Sequence, residues 1–181
     1  MGRTTSLFST VAAALLPSAP AADAYLTIPG VPGDSTRKGH EDDIEVLDWT
    51  FGLAAPAGHG HAGGGAGAGK VTAQDLVVVL PTGTASPPLV EAVATGRHLA
   101  TVTLEVERRQ PTGTSVAYLT VKLDDVLVAG YDAAAHPVTA VPADVVRFRY
   151  GALTVTVRPQ DPRGGARQPV EAHVNVTGRG R

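Results

Sequence analysis

Apolar and polar residues alternate with a period of two along most of this chain. The alternation runs through Tyr25 to Ile28, Ile44 to Phe51, Thr101 to Glu107, Val116 to Leu123, Val126 to Tyr131, Val145 to Tyr150, Leu153 to Val157 and Glu171 to Val176, and Val71 to Leu80 ends in a continuous apolar run. Each segment is short, rich in β-branched or aromatic side chains, and bounded by Gly, Pro, Asp or Thr, so the pattern predicts about nine strands. One stretch follows a helical period instead. Over Ser86 to Thr95, Ser86 is placed to cap, Pro87 suits the first turn, Leu89, Val90 and Val93 share a face, and Gly96 closes the element. One short helix among many strands predicts a mainly β fold: a compact β-barrel of two sheets with the helix packed alongside. On Ile44 to Phe51 the alternation assigns Leu47, Trp49 and Phe51 to the core and Val46, Asp48 and Thr50 to the opposite face.

The first 24 residues read differently. Arg3 gives a small positive region, Leu7 to Leu16 an apolar run, Pro17 a break, and Ala22-Asp23-Ala24 an A-x-A cleavage pattern. This predicts a secretory signal peptide over residues 1–24, cut before Tyr25, and a single domain over 25–181. The apolar run is too short to span a bilayer, so no stable membrane insertion is expected.

Composition removes several function classes. The 181 residues include no cysteine, which excludes disulfides and thiolate metal sites, and the net charge of -2, with scattered Lys and Arg, argues against a nucleic-acid partner. The Gly-rich stretch GHGHAGGGAGAGK, Gly58 to Lys70, contains G-x-x-x-x-G-K from Gly64, but Val71 stands where a phosphate-binding loop needs Ser or Thr, and a strand pattern follows where a helix is needed. Gly58 to Gly63 matches G-x-G-x-x-G with no βαβ unit around it. His59 and His61 are two metal donors held by glycines, too few and too loosely placed for a metal site. The loop therefore reads as a protrusion ordered by a partner. His40-Glu41-Asp42-Asp43 has the residue types of a hydrolase fragment or cation site, yet reads as an exposed, solvated turn before an edge. Ser35, Ser86 and Ser115 sit in turn or capping contexts, and His98 is placed to cap helix carbonyls or pack beside the next strand. No catalytic residue, cofactor or metal is expected.

The order AYLTIPGVPGDSTRKGHEDDIEVLDWTFG, a Gly-rich loop, GKVTAQDLVVV, SPPLVEAVATGRHLATVTLEV and AYLTVKLDDVLVAGY resembles the Hcp tube proteins of type VI secretion systems over Tyr25 to about Tyr150. The resemblance implies a non-enzymatic subunit that assembles into hexameric rings, stacked into a tube, with sheath, spike or effector proteins as partners. It also implies that the loop residues Gly58, His59, Gly60, His61, Gly64, Gly67, Gly69 and Lys70 lie at a subunit interface, while Val46, Asp48 and Thr50, placed on one face by alternation, would face solvent or a lumen. The alternative is a monomeric secreted β-barrel binding module for envelope proteins or glycans. Tube proteins of this kind ordinarily carry no cleavable leader. The chain is thus expected outside the cytoplasm if its leader works, and to assemble in the cytoplasm if it does not.

Overall fold

A computed structural model describes residues 23–55, 71–110, 113–135, 142–160 and 167–176. Among the described residues, ten strands and one helix follow one another as β1 (Ala24–Thr27), β2 (Ile44–Glu45), β3 (Asp48–Thr50), β4 (Leu53–Ala54), β5 (Thr72–Ala73), β6 (Leu76–Pro81), α1 (Ser86–Thr95), β7 (His98–Arg109), β8 (Ser115–Ala135), β9 (Pro142–Val157) and β10 (Val170–Asn175). Eight strands form one antiparallel sheet in the order β2-β1-β7-β8-β9-β6-β3, with β10 added on β9; β4 and β5 form a separate two-stranded ribbon. The mainly β fold with one flanking helix is the expected one. The large sheet supplies both walls of the barrel by curling.

The end strands of that path, β2 and β3, are neighbours in sequence, separated by Val46 and Leu47. Here the amide of Val46 still donates to Ala24 O on β1 (2.9 Å), whereas that of Leu47 donates to Val79 O on β6 (2.8 Å). One short stretch therefore leaves one margin of the sheet and joins the other, drawing the two together. This breaks the single strand expected over Ile44 to Phe51 and shifts its alternation. Leu47, assigned to the core, is 48% exposed, while Val46, assigned to the opposite face, packs against the core.

A second departure lies in the long strands. Separate strands were expected on either side of Asp124-Asp125 and of Gly151-Ala152, but β8 and β9 run through both places in one register, with only the Asp125–Gly151 pair missing from the ladder. What changes there is the buried face. Leu99, Val126 and Tyr150 form one row across β7, β8 and β9, and Val102, Leu123 and Leu153 form the next; all six are buried although three residues separate the rows along each strand. Residues three apart in a regular strand point to opposite faces. Asp125, between the rows, takes a left-handed conformation (φ 53°), and Gly151 lies so close to it that an added Cβ would be 3.2 Å from the Asp125 Cβ. The sheet turns over locally and one continuous core spans the turn.

Helix α1 packs on β8 and buries Ser86, Leu89 and Ala92, with Val93 half-buried; Val90, expected on that face, is 46% exposed because the stripe runs through Ala92. Its C-terminus is a Schellman turn: Gly96 is left-handed, its amide reaches Val93 O, and the Arg97 amide reaches Ala92 O. At the N-terminus Ala85, not Ser86, holds the capping position. Ser86 instead accepts the Gly83 amide (2.9 Å) and donates to the buried carboxylate of Asp144 on β9, which also accepts the Thr82 hydroxyl (2.8 Å). The carboxylate thus fastens the helix start to the sheet, where the positive end of the helix dipole favours it. Replacing Asp144 with Ala strands the buried Ser86 hydroxyl and also takes the acceptor from the exposed Thr82, and is expected to cost about 2 kcal/mol in urea unfolding; a loss under about 0.5 kcal/mol contradicts this anchoring role.

Candidate functional site

Residues 56–70, including every interface residue expected in the Gly-rich loop, lie outside the described residues. The stem of that loop is described. Leu53 pairs with Ala73 and Ala54 with Thr72, and the Gln74 amide closes the base on Gly52 O (2.8 Å). Gly52 is required there, since an added Cβ would lie 2.8 Å from Gln74 Oε1. The ribbon is two residues wide on each side, stands apart from the large sheet, and exposes Leu53 by 43%. Beside it, Asp48 and Thr50 on β3 are exposed, and Asp48 Oδ1 takes up the amide of Trp49 (2.8 Å). Val46 does not share their face, for the reason given above.

The chemistry that the sequence hid is around His40. The turn after β1 folds back on itself: Gly33 donates to Asp42 O (2.7 Å) and Ser35 to Asp43 O (3.1 Å). Only glycine fits at position 33, where a Cβ would lie 2.2 Å from the Asp43 carbonyl oxygen. Gly39 (φ 89°) and Asp42 (φ 63°) supply the left-handed steps. His40 was expected in an exposed turn, and Glu41 and Asp42 are exposed, but His40 itself is 8% exposed and lies flat on Tyr25, ring centroids 4.0 Å apart.

The Asp43 carboxylate accepts the Thr27 hydroxyl (2.7 Å) on one oxygen and contacts His40 Nδ1 (2.9 Å) with the other. An ionised carboxylate only accepts, so Nδ1 carries the proton. His40 Nε2 then faces two acids of β7, Glu107 Oε1 at 3.4 Å and Glu105 Oε1 at 3.7 Å. Register explains this convergence. Glu105 pairs with Tyr25, and the Glu107 amide bonds to Asp23 O, so alternation puts all four side chains on the outer face of β1 and β7, under the turn. Arg37 secures the margin, reaching Asp23 (2.9 Å), Glu107 Oε2 (3.2 Å) and Ser115 Oγ (2.6 Å). Spacing in the sequence gave no sign of this group, because its members come from positions 23 to 115 and meet only through strand pairing.

A concavity of about 360 Å³ opens between Asp75, His98, Arg149, Tyr150 and Val176. His98 begins β7 and pairs with Asp125 (3.1 Å) in solvent, a different role from the helix-capping one considered. Arg149 meets Asp75 through two contacts, 3.3 and 3.4 Å. The Tyr150 hydroxyl is buried without a hydrogen-bond partner among the described residues, and its burial, then the Asp75 charge, push its ionisation above the usual tyrosine range.

Comparison with known proteins places this architecture. The profile of the family described as "Type VI secretion system effector, Hcp" matches residues 25–157. The chain belongs to the Hcp family. Among solved structures it is similar to a type six secretion system protein (26% identity, TM-score 0.77, covering 86% of this chain and 96% of that one). It is also similar to Hcp1 from Salmonella typhimurium (25%, TM-score 0.68, covering 87% and 96%). A type VI secretion system effector from Yersinia pestis shares the fold at 24% identity (TM-score 0.65, covering 85% and 100%). Comparison with curated protein sequences returns no match. The chain is thus an Hcp-like structural subunit, as the order of its motifs implied. No helix among the described residues is long and apolar enough to cross a membrane.

The orphan hydroxyl generates a prediction for this Hcp-family chain. Tyr25, Tyr131 and Tyr150 are all raised by burial, so each favours the fold fully below the unfolded tyrosine pKa near 10. That contribution fades as pH rises through the higher folded values, because the unfolded chain ionises first. Tyr150→Phe is expected to leave stability at pH 7 unchanged or raised by about 1 kcal/mol, and to flatten the alkaline loss of stability in urea titrations at pH 9 to 11. A loss above about 1 kcal/mol at pH 7 overturns the assignment of an unpartnered hydroxyl.

Proposed function

We propose that this chain is a ring-forming tube subunit, six copies joined head to tail, in which the β4–β5 ribbon and residues 56–70 of each copy are completed by its neighbour. The ribbon carries this reading. An isolated two-stranded ribbon is marginal in water, and in this one, with four paired residues, only Ala73 packs against the core. Seven of the thirteen residues from Gly58 to Lys70 are glycine, which lets bare backbone lie against another subunit where side chains would collide. Exposed apolar residues supply unlike patches for a heterologous contact: Leu47 and Leu53 near the ribbon, and the directly paired Val157 and Val170 at the β9–β10 margin. Two unlike patches close into rings when the rotation between copies fits. Asp48 and Thr50 then face the lumen, and effector, sheath and spike proteins are the partners of the assembled form. The ring reading is favoured over a monomeric binding module by this pairing of patches.

Export through residues 1–24 belongs to the same proposal. A cut before Tyr25 falls inside β1 and would remove Asp23 and Ala24, whose carbonyls accept the Glu107 and Val46 amides, so the peptidase would have to act on the unfolded chain and the exported form would lack those two margin bonds.

The test replaces residues 56–70 with a two-residue Asn-Gly turn, which suits the hairpin stem. Sedimentation is expected to show the unaltered chain as a hexamer and the shortened chain as a folded monomer with an unchanged far-ultraviolet spectrum. Hexamers from the shortened chain would sink the assigned role of the loop. Intact mass of the exported protein is expected to begin at Tyr25, and a mass retaining residues 1–24 refutes the leader.

A further inference from the structure

The groups gathered around His40 form a metal-binding constellation within one protomer, independent of how protomers assemble. His40 Nε2, Glu105 and Glu107 each offer a ligand atom, all within 4.8 Å of one another. A divalent ion with tetrahedral bonds of about 2.0–2.1 Å holds its ligand atoms about 3.3–3.4 Å apart. The Nε2 to Glu107 Oε1 separation is 3.4 Å, and that to Glu105 Oε1 is 3.7 Å, a small rotation of a half-exposed side chain from the same value.

The imidazole is not a chance neighbour. It is buried, stacked on Tyr25, and oriented by Asp43, which fixes the proton on Nδ1 and leaves the Nε2 lone pair aimed at two carboxylate oxygens. Three electron-rich atoms facing one another at this range call for a proton on Nε2 or a cation between them, and the two compete for the same nitrogen. A carboxylate behind a histidine whose other nitrogen binds the ion is the recurrent support of protein metal sites, and Asp43 is itself steadied by Thr27. Charge points the same way. Asp23, Asp43, Glu105 and Glu107 surround the site against the single guanidinium of Arg37, which engages Oε2 of Glu107 and leaves Oε1 toward His40. Glu105, 32% exposed, keeps a path to solvent for entry and for a fourth, water ligand.

We propose that His40, Glu105 and Glu107 bind one divalent transition-metal ion of the zinc or cobalt class, with Asp43 as the positioning residue behind the imidazole. Mixed imidazole and carboxylate donors select such ions over magnesium or calcium. The ion would clamp the turn of residues 33–43 onto the β1–β7 margin and stiffen the entry of the chain into the sheet.

The experiment titrates Zn²⁺ and Co²⁺ into the chelator-treated full chain carrying His59→Ala and His61→Ala, which removes the loop histidines as competing donors. Calorimetry is expected to give one site per chain, Co²⁺ to develop visible d–d absorption, and Zn²⁺ to raise the melting temperature. Glu105→Gln, a near-isosteric change on a partly exposed side chain, is expected to abolish the absorption while far-ultraviolet dichroism stays unchanged. Asp43→Asn is expected to weaken binding about ten- to a hundredfold while retaining the spectrum. Should Glu105→Gln disturb the fold, Glu107→Gln carries the same expectation. No site in the loop-histidine-free chain, or a site whose affinity the Glu105 and Glu107 changes leave intact, overturns the proposal.

Discussion

A β-sheet has to satisfy the backbone N–H and C=O groups along its margins, and this fold answers to that demand at every level. Within the protomer, the chain from Ile44 to Thr50 hydrogen-bonds first to β1 and then to β6, so that one crossing at Val46 and Leu47 draws both margins of the large sheet together. Where a margin stays open, a local device covers it. The Asp48 carboxylate takes up the amide of Trp49 on β3, and β10 lies along the half of β9 that β6 does not reach. The β4–β5 ribbon has no such cover within the described residues, which is why it is the place where a neighbouring copy has most to add.

Closure of the sheet also sets the core. A curled sheet with long strands cannot keep one phase of alternation facing inward over its whole length. Here the phase changes at one level across three adjacent strands, at Ala100-Thr101, Asp124-Asp125 and Gly151-Ala152. The left-handed Asp125 and the side-chain-free Gly151 meet at this line, one supplying the backbone conformation and the other the space for it. Large side chains on either side, including Tyr150, Leu123 and Leu153, then share one interior. Asp144 places a single charge at the edge of that interior and uses it to fasten α1.

Much of this was legible in the chain. The strand segments, the helix and its closing Gly96 followed from periodicity, and even the misread breaks at Asp124-Asp125 and Gly151-Ala152 fell on the line where the inward face changes. Alternation reports which side chains are buried, not whether the ladder continues, so a change of phase and an end of a strand look alike. The Leu47 and Val46 reversal was hidden for a related reason, because the hop between sheet margins leaves no mark in residue type. His40 was hidden differently. Its burial depends on Tyr25 beneath it and on Glu105 and Glu107, which lie 65 and 67 positions further along the chain, and no local pattern encodes neighbours so distant. The order of motifs, by contrast, carried the family likeness directly, since it reflects the whole topology at once.

The role proposed for the protein is that of a building unit whose marginal ribbon is completed by copies of itself. Electron micrographs of the purified chain beginning at Asp23, which keeps the whole of β1, test this most directly. The account predicts closed rings with a central hole and six-fold averages, some of them stacked; a field of single compact particles at the same protein concentration would contradict it.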